Sequence, residues 1–121
     1  MEKQITHFTD IKSYEDACQV LKKKPSKKAK IYERLRTICK AINSLINNEN
    51  NAKFPDYKNT IQRKWFPYFT CSEDSWVFFF SSCGYCRCDA WVGVYKTQEA
   101  SDYAGRTFFK EYVEFIEDQS N

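Results

Sequence analysis

The apolar positions of this chain change their period near residue 64 and change back near residue 97. Before 64 they recur as helices require. Ser13 opens the first such stretch: its hydroxyl is placed to accept from the free amides of a first turn, and Asp16 three places on completes a capping-box pattern. Tyr14, Ala17, Cys18 and Leu21 then fall at i, i+3, i+4 and i+7, a stripe only two turns long that needs a partner to persist. In the second stretch Ile31, Leu35, Ile38, Ile42 and Leu45 alternate spacings of four and three, and Tyr32, Cys39 and Ile46 widen the stripe. That spacing suits antiparallel packing on the first helix and equally a helix-mediated dimer. The run "NNENN" at 47–51 ends the helix, because Asn competes for backbone hydrogen bonds and accepts a left-handed conformation. A polar connector follows, with Phe54, Tyr57 and Ile61 expected as anchors onto the core.

From 64 the pattern predicts strands. "KWFPYFT" (64–70), "WVFFFSS" (76–82) and "AWVGVYK" (90–96) are short, aromatic and β-branched. Pro67 cannot donate to a ladder, which makes the first an edge or irregular strand. Strict alternation in the second sends Trp76, Phe78 and Phe80 one way and Val77 and Phe79 the other. Both faces are apolar, so the expectation is a central strand covered on both sides. Gly93 offers room for a bulky neighbour. The last element, capped by Thr97 and running to about Glu117, carries Ala100, Tyr103, Ala104, Phe108, Tyr112, Phe115 and Ile116 on one face. Gly105 inside it costs roughly 1 kcal/mol relative to Ala, and close packing on the sheet is the expected return. The predicted fold is α+β in the order ααβββα: two N-terminal helices, a small three-stranded antiparallel sheet, and a C-terminal helix packed on it. We expect one domain over 1–121, with 1–12 an N-terminal extension and 118–121 a frayed tail.

Length and composition fit that expectation. A chain of 121 residues with 17% aromatics and few Gly or Pro buries a core without staples. Charge is divided: Lys and Arg exceed Asp and Glu by eight over 1–64, and fall short by five over 65–121. A domain with a basic and an acidic side favours an anionic partner or head-to-tail association, not the uniform charge of a dedicated nucleic-acid binder. The opening residues lack the apolar core of a secretion signal, and no run of eighteen apolar residues occurs. The expectation is a soluble, unexported protein with no membrane partner and six reduced cysteines.

The stretch "SSCGYCRCD" (81–89) raises the question of chemistry. A structural zinc site wants four ligands, and Cys71 with Cys83, Cys86 and Cys88 would supply them. In a hairpin, however, Cys71 precedes the central strand and the others follow it, roughly 20 Å away at ~3.3 Å per residue. A thiol-rich turn is the preferred reading, with no metal and no cofactor. For a thiol nucleophile the chain offers one histidine, His7, in the polar N-terminal stretch, and beside the cysteines Arg87 is opposed by Asp89. No nucleophile elbow, phosphate-cradling glycine loop or zinc-protease motif occurs. The expectation is a non-enzyme.

Surface is what remains. Lys22, Lys23, Lys24, Lys27, Lys28 and Lys30 read first as a solvated interhelix turn and second as an anion-binding patch, with Arg63 and Lys64 as further cations. Trp65, Tyr68, Tyr85, Trp91 and Tyr95 lie on or near the sheet. They either fill the core or, if helices cover one face only, present rings suited to protein partners or stacked bases.

"SYEDACQVL", "LRTICKAINSL", "KWFPYF" and "VGVYKTQEASDYAGRTFFKEYVEFI" together resemble a group of small proteins from phages and prophages of Bacteroidetes hosts. These share a helix-rich opening, a "KYYPWF"-type segment and a "YAGKQF"-type close. The resemblance covers most of 13–116 and is sharpest at Lys64–Phe69 and at Tyr103-Ala104-Gly105. It implies phage origin and residence in the infected cytoplasm or in a virion. No activity is established for the group, so it implies no site residue. The cysteine cluster departs from it, since the corresponding stretches are rich in Ser, Tyr and Gly. The leading expectation is thus a phage accessory protein that binds a host or viral macromolecule, with self-association possible. The alternatives are a nucleic-acid or nucleotide binder, including a sponge for a defence signal, and a virion structural component.

Overall fold

A computed structural model describes residues 3–47, 53–59, 61–84 and 92–120. Ser13 caps α1 (Tyr14–Val20) as its spacing demands, Oγ accepting from the Asp16 amide at 3.1 Å. The Asp16 carboxylate is itself buried, accepting from the Lys12 amide at 3.0 Å and from the Lys3 ammonium at 3.2 Å. Tyr14, Ala17 and Cys18 meet α2 (Ile31–Ser44), which buries Leu35, Ile38, Cys39, Ala41 and Ile42. Tyr32 stays exposed and does not widen that stripe.

The segment 3–12, expected as an extension, is largely exposed but contributes two residues to the core. A 3-10 turn at Phe8–Asp10, capped by His7, inserts Phe8, and Ile11 beyond it is fully buried. Phe8 stands edge-on to Tyr103, whose hydroxyl reaches back to the carbonyls of Thr9 and Ile11. The other end corrects a smaller expectation: helix continues to Ser120.

The sheet has two strands, β1 (Lys64–Ser72) and β2 (Ser75–Gly84), antiparallel and joined by Glu73 and Asp74. Both turn residues have positive φ, 50° and 65°, the conformation whose twist matches a hairpin with a two-residue loop. The third strand expected at 90–96 does not form among the described residues. Tyr95 alone bridges to Trp65, through N–H···O bonds of 3.0 and 2.7 Å. The reason lies in α2. Asn43 Nδ2 and Cys39 Sγ both donate to the Val94 carbonyl, and Asn43 Oδ1 accepts from the Lys96 amide, so helix side chains take the groups that a ladder would use. Lys96 Nζ then caps α2 by donating to the carbonyls of Asn43 and Ile46, each at 2.8 Å.

The C-terminal helix is likewise not continuous. Thr97 caps α3 (Gln98–Thr107), which ends at Phe108, and α4 (Phe109–Ser120) follows. Phe108 is buried at φ −106°, ψ 31°, and the interruption lets α3 follow the hairpin while α4 turns onto α2. The element order is therefore ααββαα after the 3-10 turn, an α+β fold. Ala100, Ala104 and Gly105 keep α3 close to its neighbours. A Cβ on Gly105 would stand 2.7 Å from Phe78 and 2.8 Å from Pro67, and one on Gly93 would stand 2.7 Å from Cys39 Sγ. Among the described residues no helix is long and apolar enough to cross a membrane.

Candidate functional site

The hairpin register decides which rings meet the core. Lys64 through Tyr68 pair with Gly84 through Phe80, but Phe69 then pairs with Phe78, leaving Phe79 as an extra residue in β2. This bulge shifts the alternation by one. Phe78 joins the side of Ser81 and Pro67, and Phe80 joins the side of Val77 and Tyr68. The sequence pattern had placed Phe78 and Phe80 together.

The inner side lies under α3 and α4. Phe69 meets Phe78, Phe109 and Tyr112 at ring distances of 5.8, 5.8 and 5.3 Å. Ser81 Oγ donates within a cluster formed with Ser101 and Asp102. The Arg106 guanidinium lies 5.4 Å from the Phe78 ring centre.

The outer side is open, which corrects the expectation of a strand covered on both faces. Phe79 is 62% exposed, Val77 50%, Tyr68 48% and Phe80 45%. The rings touch one another: Tyr68 stacks on Phe80 at 5.3 Å, and Phe79 stands edge-on to Phe80 at 4.9 Å and to Tyr68 at 6.4 Å. With whole aromatic side chains presenting on the order of 200 Å², these four expose roughly 400 Å², the size of the largest apolar patch on a typical monomer. Between Trp65 and Gly84 the only charged residues are Glu73 and Asp74 in the turn.

The connector closes one end of this face. Gln62 braces it, accepting from the Asp56 amide and donating to the Lys53 carbonyl, both at 2.7 Å. Lys64 is fully buried beneath it, donating to the carbonyls of Asn59 and Gln62 at 3.1 and 3.0 Å, with the Tyr57 ring 6.0 Å away. A lysine so enclosed cannot meet a phosphate, which removes it from the cations proposed for an anionic partner. Ile61 is 83% exposed and is not an anchor.

The remaining candidates are dispersed. Lys22, Lys23, Lys24, Lys27, Lys28 and Lys30 are exposed on the loop between α1 and α2, and Lys23 Nζ donates to Thr37 Oγ1 at 3.1 Å. Arg63 is exposed ahead of β1. The hairpin packs on α3 whereas the lysine loop joins α1 to α2, so rings and lysines stand on different elements. Trp65 packs against the core, and Tyr95 is fully buried. Tyr85, Trp91, Cys86 and Cys88 lie outside the described residues. Cys71 pairs with Trp76 beside the turn and Cys83 with Trp65 at the far end, so the ladder separates two members of the four-cysteine set. No His, Cys, Asp or Glu cluster among the described residues has metal-binding geometry.

The buried polar groups do not form a reactive site. Burial pushes the Cys39 thiol up to about 12, opposite to what a nucleophile needs. The hydroxyls of Tyr95 and Tyr112 meet at 2.7 Å, and burial raises both above the usual phenol range. A shallow cavity of about 470 Å³ lies between the start of α2 and the end of α4. Arg34 and Lys30 on one wall oppose Glu114 and Asp118 on the other, so its charge selects no ligand class. The Arg34 guanidinium lies 5.1 Å from the Tyr14 ring centre.

Tyr68 is thus the one outer-face ring that sequence reasoning singled out; Val77, Phe79 and Phe80 were missed. The available signal was the absence of charge from 65 to 72 and from 75 to 84. Comparison with protein-family models, with curated proteins and with solved structures gives no match. What the coordinates define is an α+β protein whose hairpin turns an aromatic face to solvent.

Proposed function

We propose that the chain is a non-enzymatic binding protein that engages a protein partner through the outer face of its hairpin. The observation that carries this is the mutual contact of Tyr68, Phe79 and Phe80, each 45% exposed or more, beside Val77. Water removed from such a cluster drives association, and large rigid rings dominate the energetics of interfaces because they bury area at small entropic cost. An uncharged, ring-rich centre is also what distinguishes an interface core from ordinary surface.

The resemblance to phage proteins supplies the setting: an accessory protein in the cytoplasm of an infected bacterium, with a host or viral partner. A virion component is the same reading with a viral partner. A nucleic-acid or nucleotide partner is the weaker choice, because the rings have no cation among them to meet a phosphate.

Affinity purification from infected cells, with the wild type and Phe79→Asp compared by mass spectrometry, tests the reading. A partner recovered with the wild type and lost with the variant supports it. Identical recoveries from both would sink it.

A further inference from the structure

We propose that the partner of the outer hairpin face is a second copy of this chain, two faces stacking about a two-fold axis with their strands antiparallel. This rests on the binding role assigned to the face above and names its occupant.

Charge arrangement points to self-pairing. Along the ribbon the acidic pair Glu73 and Asp74 forms one end, and exposed Arg63 precedes the other. Tyr68 is the middle residue of Lys64–Ser72 and sits at the centre of the ring cluster. A two-fold axis passing there lays the turn of each copy over the base of the other. Glu73 and Asp74 then meet the partner copy's Arg63, and symmetry makes that contact twice. Between these ends the face is neutral, so like charges do not oppose one another when it meets itself. Parallel stacking would instead place acid on acid and arginine on arginine.

Area points the same way. The four exposed side chains remove roughly 800 Å² from water when both copies are counted, about two-thirds of the lower bound for a specific interface. Phe66 and Thr70, half-buried and on the same side of β1, with the two charged ends, extend it toward that bound. Layer architecture agrees as well. The hairpin already packs on α3, and two ribbons stacked about 10 Å apart would form an ordinary sandwich with a shared core. An interface at the low end of the size range is weak and reversible.

Sedimentation equilibrium of the full chain under reducing conditions, across the micromolar range, reads the outcome directly. The expected result is reversible association from 14.4 kDa to twice that mass. Phe79→Asp weakens it at least about thirtyfold, the loss expected at an interface hot spot, while far-UV circular dichroism stays unchanged because the residue is exposed. Arg63→Glu weakens it about tenfold, and combining it with Glu73→Arg and Asp74→Arg restores it. A chain that stays monomeric at every concentration overturns the proposal. So does a dimer indifferent to Phe79→Asp, and a charge exchange that fails to restore association overturns the antiparallel arrangement. A monomer that still captures another protein in a manner dependent on Phe79 overturns self-pairing alone and leaves the binding role standing.

Discussion

Replacing Gly105 by alanine sets two effects of opposite sign against each other, and the structure says which prevails. In an exposed helix the change would stabilise by about 1 kcal/mol, because glycine loses more backbone freedom on folding than alanine does. Here the new methyl would lie 2.7 and 2.8 Å from two carbons of the Phe78 ring and 2.8 Å from the Pro67 Cβ. Carbon atoms rest at about 3.5–4.0 Å, so the overlap approaches 1 Å on two sides. Neither neighbour yields readily. Pro67 is a ring fused to the backbone of β1, and Phe78 is held between Phe69 and the Arg106 guanidinium. α3 must therefore back away from the hairpin, and overpacking of this kind costs about 1–3 kcal/mol. The net expectation is a loss of about 1 kcal/mol, a fall in melting temperature of about 4 °C for a chain of this size. Urea unfolding followed by circular dichroism measures it, with Gly105→Ala/Phe78→Leu as the companion that relieves half of the crowding and recovers part of the loss. A variant as stable as the wild type, or more so, refutes the close approach of helix and ribbon.

The Tyr95 and Tyr112 hydroxyls satisfy each other in the core. Tyr95→Phe strands the Tyr112 hydroxyl and costs about 1–3 kcal/mol, while the double variant with Tyr112→Phe costs less than the sum of the two, as a double-mutant cycle in urea would show. Stability also falls in alkali. The folded state holds the Cys39 proton to about 12 against an ordinary 9.0, and holds the tyrosine protons above 10.0, so the stabilisation is complete below about pH 9 and drains away as pH rises toward those folded values. Equal urea midpoints at about pH 8 and about pH 10.5 would contradict this, and Cys39→Ala should flatten the early part of the decline. In the turn, Glu73→Asn with Asp74→Gly removes the cost of two side chains at positive φ and should raise the urea midpoint by the equivalent of about 1 kcal/mol; a lower midpoint would mean that the turn has another geometry.

Local chemistry was legible because it needs only neighbours in the chain. Ser13 and Thr97 cap the helices that their spacing marks, and the stripe through Leu35, Ile38 and Ile42 is buried as a 3.6-residue period requires. Gly93 and Gly105 sit at the close approaches that their places in the pattern suggested. The hairpin was equally plain from its two apolar runs, though the strands extend through Ser72 and from Ser75 to leave a two-residue turn.

What was not legible depended on partners far along the chain. Tyr95 lies in a strand-like run, yet Asn43, more than fifty residues away, takes the polar groups on either side of it and leaves one bridge where a strand was expected. Lys64 reads as a surface cation and is buried, because carbonyls of the preceding connector replace water around its ammonium. The bulge at Phe79 has no mark in an unbroken run of aromatics. It brings Phe78 and Ser81 to the same side of the ribbon, the side that meets α3.

The chain by itself determined where α1, α2 and the hairpin lie, since period and capping are properties of adjacent residues. Only the tertiary structure decided which rings are core and which face water. A one-residue shift of register exchanges the two sides of a strand, and that shift is chosen by the packing of the whole, not by any stretch within it.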